Sequence, residues 1–359
     1  VTITIGSLSS GYGGLEMALS SWLGEIDVRW HSEIDPDASL VLKTHWPEVP
    51  NLGSFTEPGF WEQAERTHVQ CGGIPCQGFS AAGRQLGEAD PRHLWPFWRP
   101  GIELHRPATV VFENVANLTR GKMRPIFDGI IADLLALGYD VRWCLLGACA
   151  VGAAHHRHRV FLLACRSRTT PNATQVQVQT CGRHAAAYVP TPVVTEAKGA
   201  RSQTSGRTEG KRFNSGTTLG DMVALLRSPN ARDGDGARGQ GSIEHMRRRM
   251  ESGHTINLGD QLSVMEADGR WGKYAEAIAR HETVLGRPAP EPTEIGPKGG
   301  RRLAAAFSEW LMMLPEGHLT SVLDRNPALA RAGNGVVPLQ AATALGLLFA
   351  DIEHTGAAQ

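Results

Sequence analysis

Hydrophobic and polar positions along the first 165 residues switch repeatedly between two periods. Short apolar runs of strand character are "VTITIG" (1–6), "DVRWHSEID" (27–35), "HVQCGGIPC" (68–76) and "ATVVFENV" (108–115). The same character returns in "YDVRWCLL" (139–146) and "HRVFLLAC" (158–165). Between them lie helical patterns. In "GGLEMALSSWLG", Leu15, Ala18, Leu19, Trp22 and Leu23 recur at helical spacing and a glycine ends the run. "RPIFDGIIADLLALG" (124–138) is amphipathic in the same way. Alternating strands and helices predict an α/β domain with a doubly wound, mainly parallel sheet.

From about Arg166 the periodicity fades and Gly, Thr, Arg and Ser increase. "TPVVTEAKGARSQTSGRTEGKR" and "RSPNARDGDGARGQGS" have loop composition. Order returns near Leu303 with "LAAAFSEWLMMLPEGH", a helix expected to stop at Pro315. "GNGVVPLQAATALGLLFADI" reads as a turn at Gly333, Asn334 and Gly335 leading into an apolar helix. The expected organisation is a catalytic domain over 1–165, an inserted loop-rich module over 166–302, and a segment over 303–359 that returns to the first domain.

Bulk properties narrow the class. The 359 residues suit two domains, or one with a large insertion. No apolar run is read as approaching the ~18 residues of a membrane span, and the N-terminus lacks the basic and apolar parts of a secretion signal. The six cysteines form no CxxC pair, so free thiols in a reducing cytoplasm are expected, within a bacterial host cell or at its nucleoid. Net charge is zero but unevenly spread. Arg166 to Arg302 holds 21 Lys and Arg against 14 Asp and Glu, leaving 15 against 22 elsewhere. A basic middle on an acidic frame suits a polyanion partner or, equally, an arginine-rich insertion of no special role.

Five stretches carry candidate chemistry, one of them the turn at Gly333, Asn334 and Gly335. "SLSSGYGG" (7–14) joins the first strand to the first helix, where glycines let backbone approach a ligand; a plain tight turn has the same composition. Glu33 ends the second strand, where a carboxylate accepts from ribose hydroxyls in nucleotide-binding α/β folds or is simply solvated. "CGGIPCQGFS" (71–80) places Cys76 in an accessible loop, with Arg84 as a source of positive charge; it is an ordinary turn or a presented thiolate. Glu113 and Asn114 terminate the apolar strand of "VVFENVANL", a setting that suits a carboxyl to hold a proton or to serve a cap. In "HHRHRVFLLA", Arg157 and Arg159 share parity and would face one side of an extended strand. His155, His156 and His158 have no Cys or carboxylate at zinc-ligand spacing, so no metal is expected.

Taken together, these stretches resemble the DNA (cytosine-5)-methyltransferases, especially versions carried by phages and prophages. The Pro-Cys-Gln loop, the Glu-Asn-Val strand end, the R-x-R strand and the Gly-Asn-x-Val turn occur in the family's order. The resemblance covers 1–165 and about 301–350 and leaves the middle unmatched, where the family places its target-recognition region. It implies a Rossmann-like fold that uses S-adenosylmethionine and duplex DNA, with Cys76, Glu113, Arg157 and Arg159 catalytic. The cofactor would be held by Ser10, Gly11, Tyr12, Gly13, Gly14, Glu33, Ile34, Ser54, Phe55, Pro75, Asn334 and Val336. Gln77, Ser80 and Arg84 would lie near DNA on a loop that closes over a flipped base.

The chain departs from the family's pattern at three places. Ser9 stands where Phe is usual, Ser54 where Asp is usual, and His155 where Gln is common. The first two imply looser cofactor binding. The expected protein is a monomer that touches no membrane, with a cognate restriction endonuclease as an optional partner. Two alternatives stay open: a DNA-binding protein with weakened or lost catalysis, and an RNA cytosine-5 methyltransferase.

Overall fold

A computed structural model describes residues 2–74, 94–167, 170–178, 242–251, 271, 274–296 and 301–356. It divides into two compact units. The first comprises residues 1–146, 158–178 and 335–359; the second comprises 147–157 and 179–334.

The first unit is built on a seven-stranded sheet of order β2-β1-β3-β4-β6-β5-β7. The strands are β1 (Ile3–Leu8), β2 (Ile26–Ser32), β3 (Val69–Gly72), β4 (Thr109–Val115), β5 (Tyr139–Gly147), β6 (His158–Arg166) and β7 (Ala173–Gln175). β1 pairs in parallel with β2 on one side and β3 on the other, β3 is parallel to β4, and β6 runs antiparallel to β4. Chain order reverses at β1, so the carboxyl ends of β1 to β4 gather around a switch point, where open α/β sheets bind ligands.

The α-helices of this unit before residue 147 are α1 (Gly14–Leu23), α2 (Pro36–His45), α3 (Phe60–Gln63), α4 (Trp95–His105) and α5 (Arg124–Ala136). In α1 the helical stripe buries Leu15, Ala18 and Leu19, as its spacing predicts. α2 starts where Asp35 accepts the Ala38 N–H at 3.0 Å and Pro36 opens the first turn, a strong start signal that its weakly apolar body conceals. α4 is also missing from the sequence expectation because Pro100 lies inside it; Pro96 is in its first turn, where proline is tolerated, and burial of Trp98 and Ile102 offsets the cost of Pro100. Trp30, Phe60, Trp98, Phe112 and Phe127 lie in one core cluster with Leu162 and Val141.

In the second unit, described helices are α6 (Ile243–Glu251), α7 (Ala275–Leu285), α8 (Ala305–Leu311) and α9 (Arg325–Asn334), with a hairpin-like pair β8 (Thr293–Ile295) and β9 (Arg301–Leu303). α8 ends at Leu311, before Pro315. The buried Glu309 carboxylate accepts the N–H groups of Gly317, Leu319 and Thr320 at 2.7–2.9 Å and so pins the following turn.

Two expectations need correction. Gly333 and Asn334 are the end of α9, and the break lies at 335–337, before α10 (Pro338–Gly356). The span Arg325–Ala350 is also long and apolar enough, by length and composition, to cross a membrane, at mean hydropathy 1.3. It is not one helix, and Ala341, Ala344, Leu345 and Leu348 of α10 are buried where α10 packs on α1 and β6. Core packing accounts for the apolarity of that buried face, while Leu347 and Phe349 are exposed.

Gly335 brings the start of α10 against the Tyr12 ring: a Cβ there would lie 1.8 Å from a ring carbon. Tyr12 is buried and donates its hydroxyl to the Val336 carbonyl at 2.6 Å, so it has no room to retreat. Gly335→Ala is expected to cost about 1–3 kcal/mol by overpacking. Gly129→Ala, inside α5 with open space around it, should stabilise by about 0.5–1 kcal/mol. Thermal unfolding of both variants checks this; equal shifts would contradict it.

Candidate active site

The loop after β1 is shaped by backbone that glycine tolerates best. Gly11 and Gly13 have φ of 58° and 85°, and Ser9, a non-glycine, also lies in the left-handed region at 47°. Gly13 donates to the Ser10 carbonyl at 2.9 Å, and the Ser10 hydroxyl donates to the Ser7 carbonyl at 3.1 Å. The loop is tied to the end of β2 by Glu33, whose Oε2 accepts the Gly11 N–H at 2.8 Å. Its Oε1 accepts the N–H groups of Ile34 and Asp35 at 2.9 and 2.8 Å. Ile34 beside it is 75% exposed, an unusual setting for an isoleucine.

Asn51, which no periodic signal marks, organises this edge. Its Oδ1 accepts from the Glu33 and Gly53 N–H groups, and its amide donates to the Glu33 carbonyl. The Ser54 hydroxyl lies 2.7 Å from that of Thr56 and accepts the Thr56 N–H, so it is engaged within its own turn. Phe55 is buried in the core, with its ring edge-on to Phe60 at 6.4 Å.

At the neighbouring strand ends, register brings polar groups together. In the antiparallel pairing of β4 with β6, Val115 lies opposite Arg159 and Glu113 opposite Phe161. Glu113 and Val115 share a face, so Arg159 reaches Glu113: Nε sits 3.0 Å from Oε1, with the two side chains 18% and 9% exposed. Asn114 turns the other way. Its amide donates to the Ile74 carbonyl at 3.2 Å while its Oδ1 accepts the Val115 N–H. Ile74 directly precedes Pro75, and Gly73 leaves space between Glu113 and Val336 that a Cβ would fill, at 3.3 and 3.9 Å from them. Pro75, Cys76, Gln77, Ser80 and Arg84 lie outside the described residues. Cys71 is wholly buried and its thiol is pushed up well above the usual range by burial, the character of a core cysteine.

Within the second unit, the Arg157 guanidinium donates to the Gly333 carbonyl at 3.0 Å and the residue is buried. The expectation that Arg157 and Arg159 face one side of an extended strand fails. β6 begins at His158 and Arg157 has φ of 30°, so strand alternation does not extend to it. His155 is buried with Nε2 2.7 Å from the Leu311 carbonyl, while His158 is exposed. Among the described residues, no group of three His, Cys, Asp or Glu side chains could hold a metal ion. Asn334 is exposed at the end of α9, and Val336 is half-buried.

A family model for C-5 cytosine-specific DNA methylases matches residues 3–343. The chain belongs to that family. Its curated relatives include the Type II methyltransferase M.HgiCII of Herpetosiphon aurantiacus, 32% identical over 45% of this chain and 37% of the relative. M.NgoMIV of Neisseria gonorrhoeae is 30% identical over 42% of this chain and 50% of that one. The chain thus spans half or less of the length of the curated relatives it matches. Among solved structures, the Entamoeba histolytica methyltransferase EhMeth is similar at a TM-score of 0.56 and 14% identity, covering 98% of this chain and 99% of that one. S. pombe Dnmt2 methyltransferase is similar at 0.54 and 13%, with the same coverage. These two likenesses show a shared fold.

For a C-5 cytosine-specific DNA methylase, S-adenosylmethionine is the implied methyl donor, and the switch point of this sheet fits it. Glu33 is a fixed acceptor, Ile34 offers an exposed apolar surface beside it, the space beside Gly11 is open, and Gly73 keeps clear the room next to Glu113 that a Cβ would fill.

Beneath the loop lies a polar cluster that sequence patterning did not reveal. Glu16 of α1 and His31 of β2 are each 1% exposed and 3.5 Å apart, with the buried Ser7 among the groups around them. Burial pushes the Glu16 carboxyl up to about 7 and the His31 imidazole down to about 4. Unfolded, Glu16 ionises near 4.5, so above that pH folding must take up a proton, and its contribution falls until about pH 7. His31 acts oppositely: its contribution is lost as pH falls through the range from 6.5 to about 4. Glu16→Gln removes only the first effect. Its stability relative to the parent should therefore rise between pH 4.5 and 8, by on the order of 3 kcal/mol. Denaturant titrations at the two pH values check this; a pH-independent difference would refute it.

Proposed function

We propose that the chain methylates cytosine at C5 in duplex DNA, with S-adenosylmethionine as the donor and a flipped-out cytosine as the acceptor. The observation that carries the reading is the Glu113–Arg159 pair at 3.0 Å. It is set where the adjacent Asn114 holds the carbonyl of Ile74, two residues before Cys76. A carboxylate and a guanidinium beside Ile74, where the chain enters the segment of the candidate nucleophile, support that reading.

Cytosine C5 is a weak nucleophile. In the proposed mechanism the Cys76 thiolate adds to C6, which makes C5 enamine-like and able to accept a methyl group. Glu113 contacts the ring N3 and the exocyclic amine. Arg159, with Arg157, is assigned to the cytosine O2 and the nearby backbone, where they offset negative charge that develops on the ring. When bound, the cofactor supplies the electrophilic methyl group. Transfer of the C5 proton to solvent and cleavage of the Sγ–C6 bond then release Cys76 as the thiolate and regenerate the enzyme. Ser10 to Gly14, Glu33, Ile34, Ser54, Phe55, Pro75, Asn334 and Val336 are assigned to the cofactor, and Gln77, Ser80 and Arg84 to DNA. The basic region between 166 and 302 is assigned to target reading, with salt-sensitive phosphate contacts.

The local engagement of the Ser54 hydroxyl favours a second reading, in which the cofactor site is weak and the protein acts by occupying DNA. Transfer of labelled methyl groups separates the readings. Duplex DNA should be labelled and tRNA should not, and Cys76→Ser should abolish transfer while DNA binding stays within about threefold. Duplex containing 5-fluorocytosine should trap a covalent adduct at Cys76, because fluorine cannot leave as a proton does. Folded protein that binds DNA without transfer would establish occupancy instead, and transfer to tRNA alone would establish an RNA enzyme.

A further inference from the structure

The segment 152–157 is gripped from one side by α7, a helix within the span assigned to target reading. Arg280 approaches the Ala153 carbonyl with Nη2 at 3.5 Å. Val284 packs so closely that a Cβ on Gly152 would lie 2.5 Å from it, and Gly152 has φ of 91°. Between them on the helix, His281 is wholly buried. Its Nδ1 accepts the Ala154 N–H at 3.0 Å, and its Nε2 lies 3.0 Å from the Trp310 carbonyl. Its ring stacks on the Trp310 indole at 3.9 Å and 24°.

The two contacts fix the tautomer. A nitrogen that receives a backbone N–H carries no proton, and one that faces a carbonyl must carry it. Fully buried, the ring needs both nitrogens satisfied, and it meets that need on the backbone of two segments, so its orientation is fixed with theirs. The segment held this way leads within three residues to Arg157, whose φ of 30° is strained for a non-glycine and whose guanidinium is anchored on Gly333.

We infer that His281 is a positioning residue for Arg157: its unprotonated Nδ1, by holding the Ala154 N–H, sets the backbone from which Arg157 extends. The inference rests on the role proposed above for Arg157. Burial lowers the His281 imidazole to about 4, with Arg287 and Arg280 adding to the effect, so the ring stays neutral under ordinary conditions.

Three variants separate positioning from packing. Asn at 281 places an acceptor near the position of Nδ1, Gln places its amide near Nε2, and Ala provides neither. Steady-state methyl transfer to duplex DNA, calorimetric S-adenosylmethionine binding and thermal melting are measured on each. His281→Ala should lower kcat by about 10- to 100-fold while the cofactor Kd stays within about twofold. His281→Asn should recover most of the loss, and His281→Gln should not. If His281→Ala does not fold, the Asn and Gln pair decides alone. A folded His281→Ala with unchanged kcat, or Gln restoring activity as well as Asn, would overturn the inference. Absence of transfer by the parent protein would instead remove the proposed function and leave the variants to be judged by melting.

Discussion

The ion pair between Glu113 and Arg159 exists because β6 runs antiparallel to β4 in one register. That pairing sets Arg159 opposite Val115, on the face that Glu113 also occupies. A slip of one residue would send Arg159 to the other face and leave a nearly buried carboxylate with no cation beside it. The apolar strands "VVF" and "VFLLA" hold the register through burial of Val111, Phe112, Phe161, Leu162 and Leu163. The same strand end directs Asn114 toward Ile74, so one stretch of β4 carries the charged pair on one face and an anchor for the neighbouring segment on the other.

Around this centre, the first unit depends on close backbone approaches. Tyr12 bonds Val336, Gly335 lies against its ring, and a Cβ on Gly14 would lie 2.7 Å from the Val336 carbonyl. These contacts lock the start of α10 to the loop after β1, although the two are more than 300 residues apart in sequence. Glu33 and Asn51 fix the adjacent edge by satisfying backbone N–H groups. The cofactor assigned to this edge would therefore meet groups that are already ordered, which lowers the entropic cost of binding.

The alternating core was legible because strand and helix periods are properties of local sequence. Leu15, Ala18 and Leu19 fell where their spacing placed them. α4 was hidden by Pro100, since tertiary burial of Trp98 and Ile102 outweighs a local penalty that sequence alone overstates. Glu113 and Arg159 were recognisable from motif order, but their distance depends on a register between segments 46 residues apart. Arg157 was misplaced because parity assumes an extended backbone, and one positive φ breaks that assumption. Glu16, His31, Asn51 and His281 had no signal: a buried polar residue is defined by the partners that the fold brings to it.

The account turns on Glu113 and Arg159 acting as one unit in methyl transfer. A double-mutant cycle tests this directly, with Glu113→Gln, Arg159→Met and the double variant compared for kcat with duplex DNA. Each single change should lower kcat by about 100-fold or more, and the double should be no worse than about threefold beyond the poorer single. Losses that multiply would show two independent groups and contradict the account.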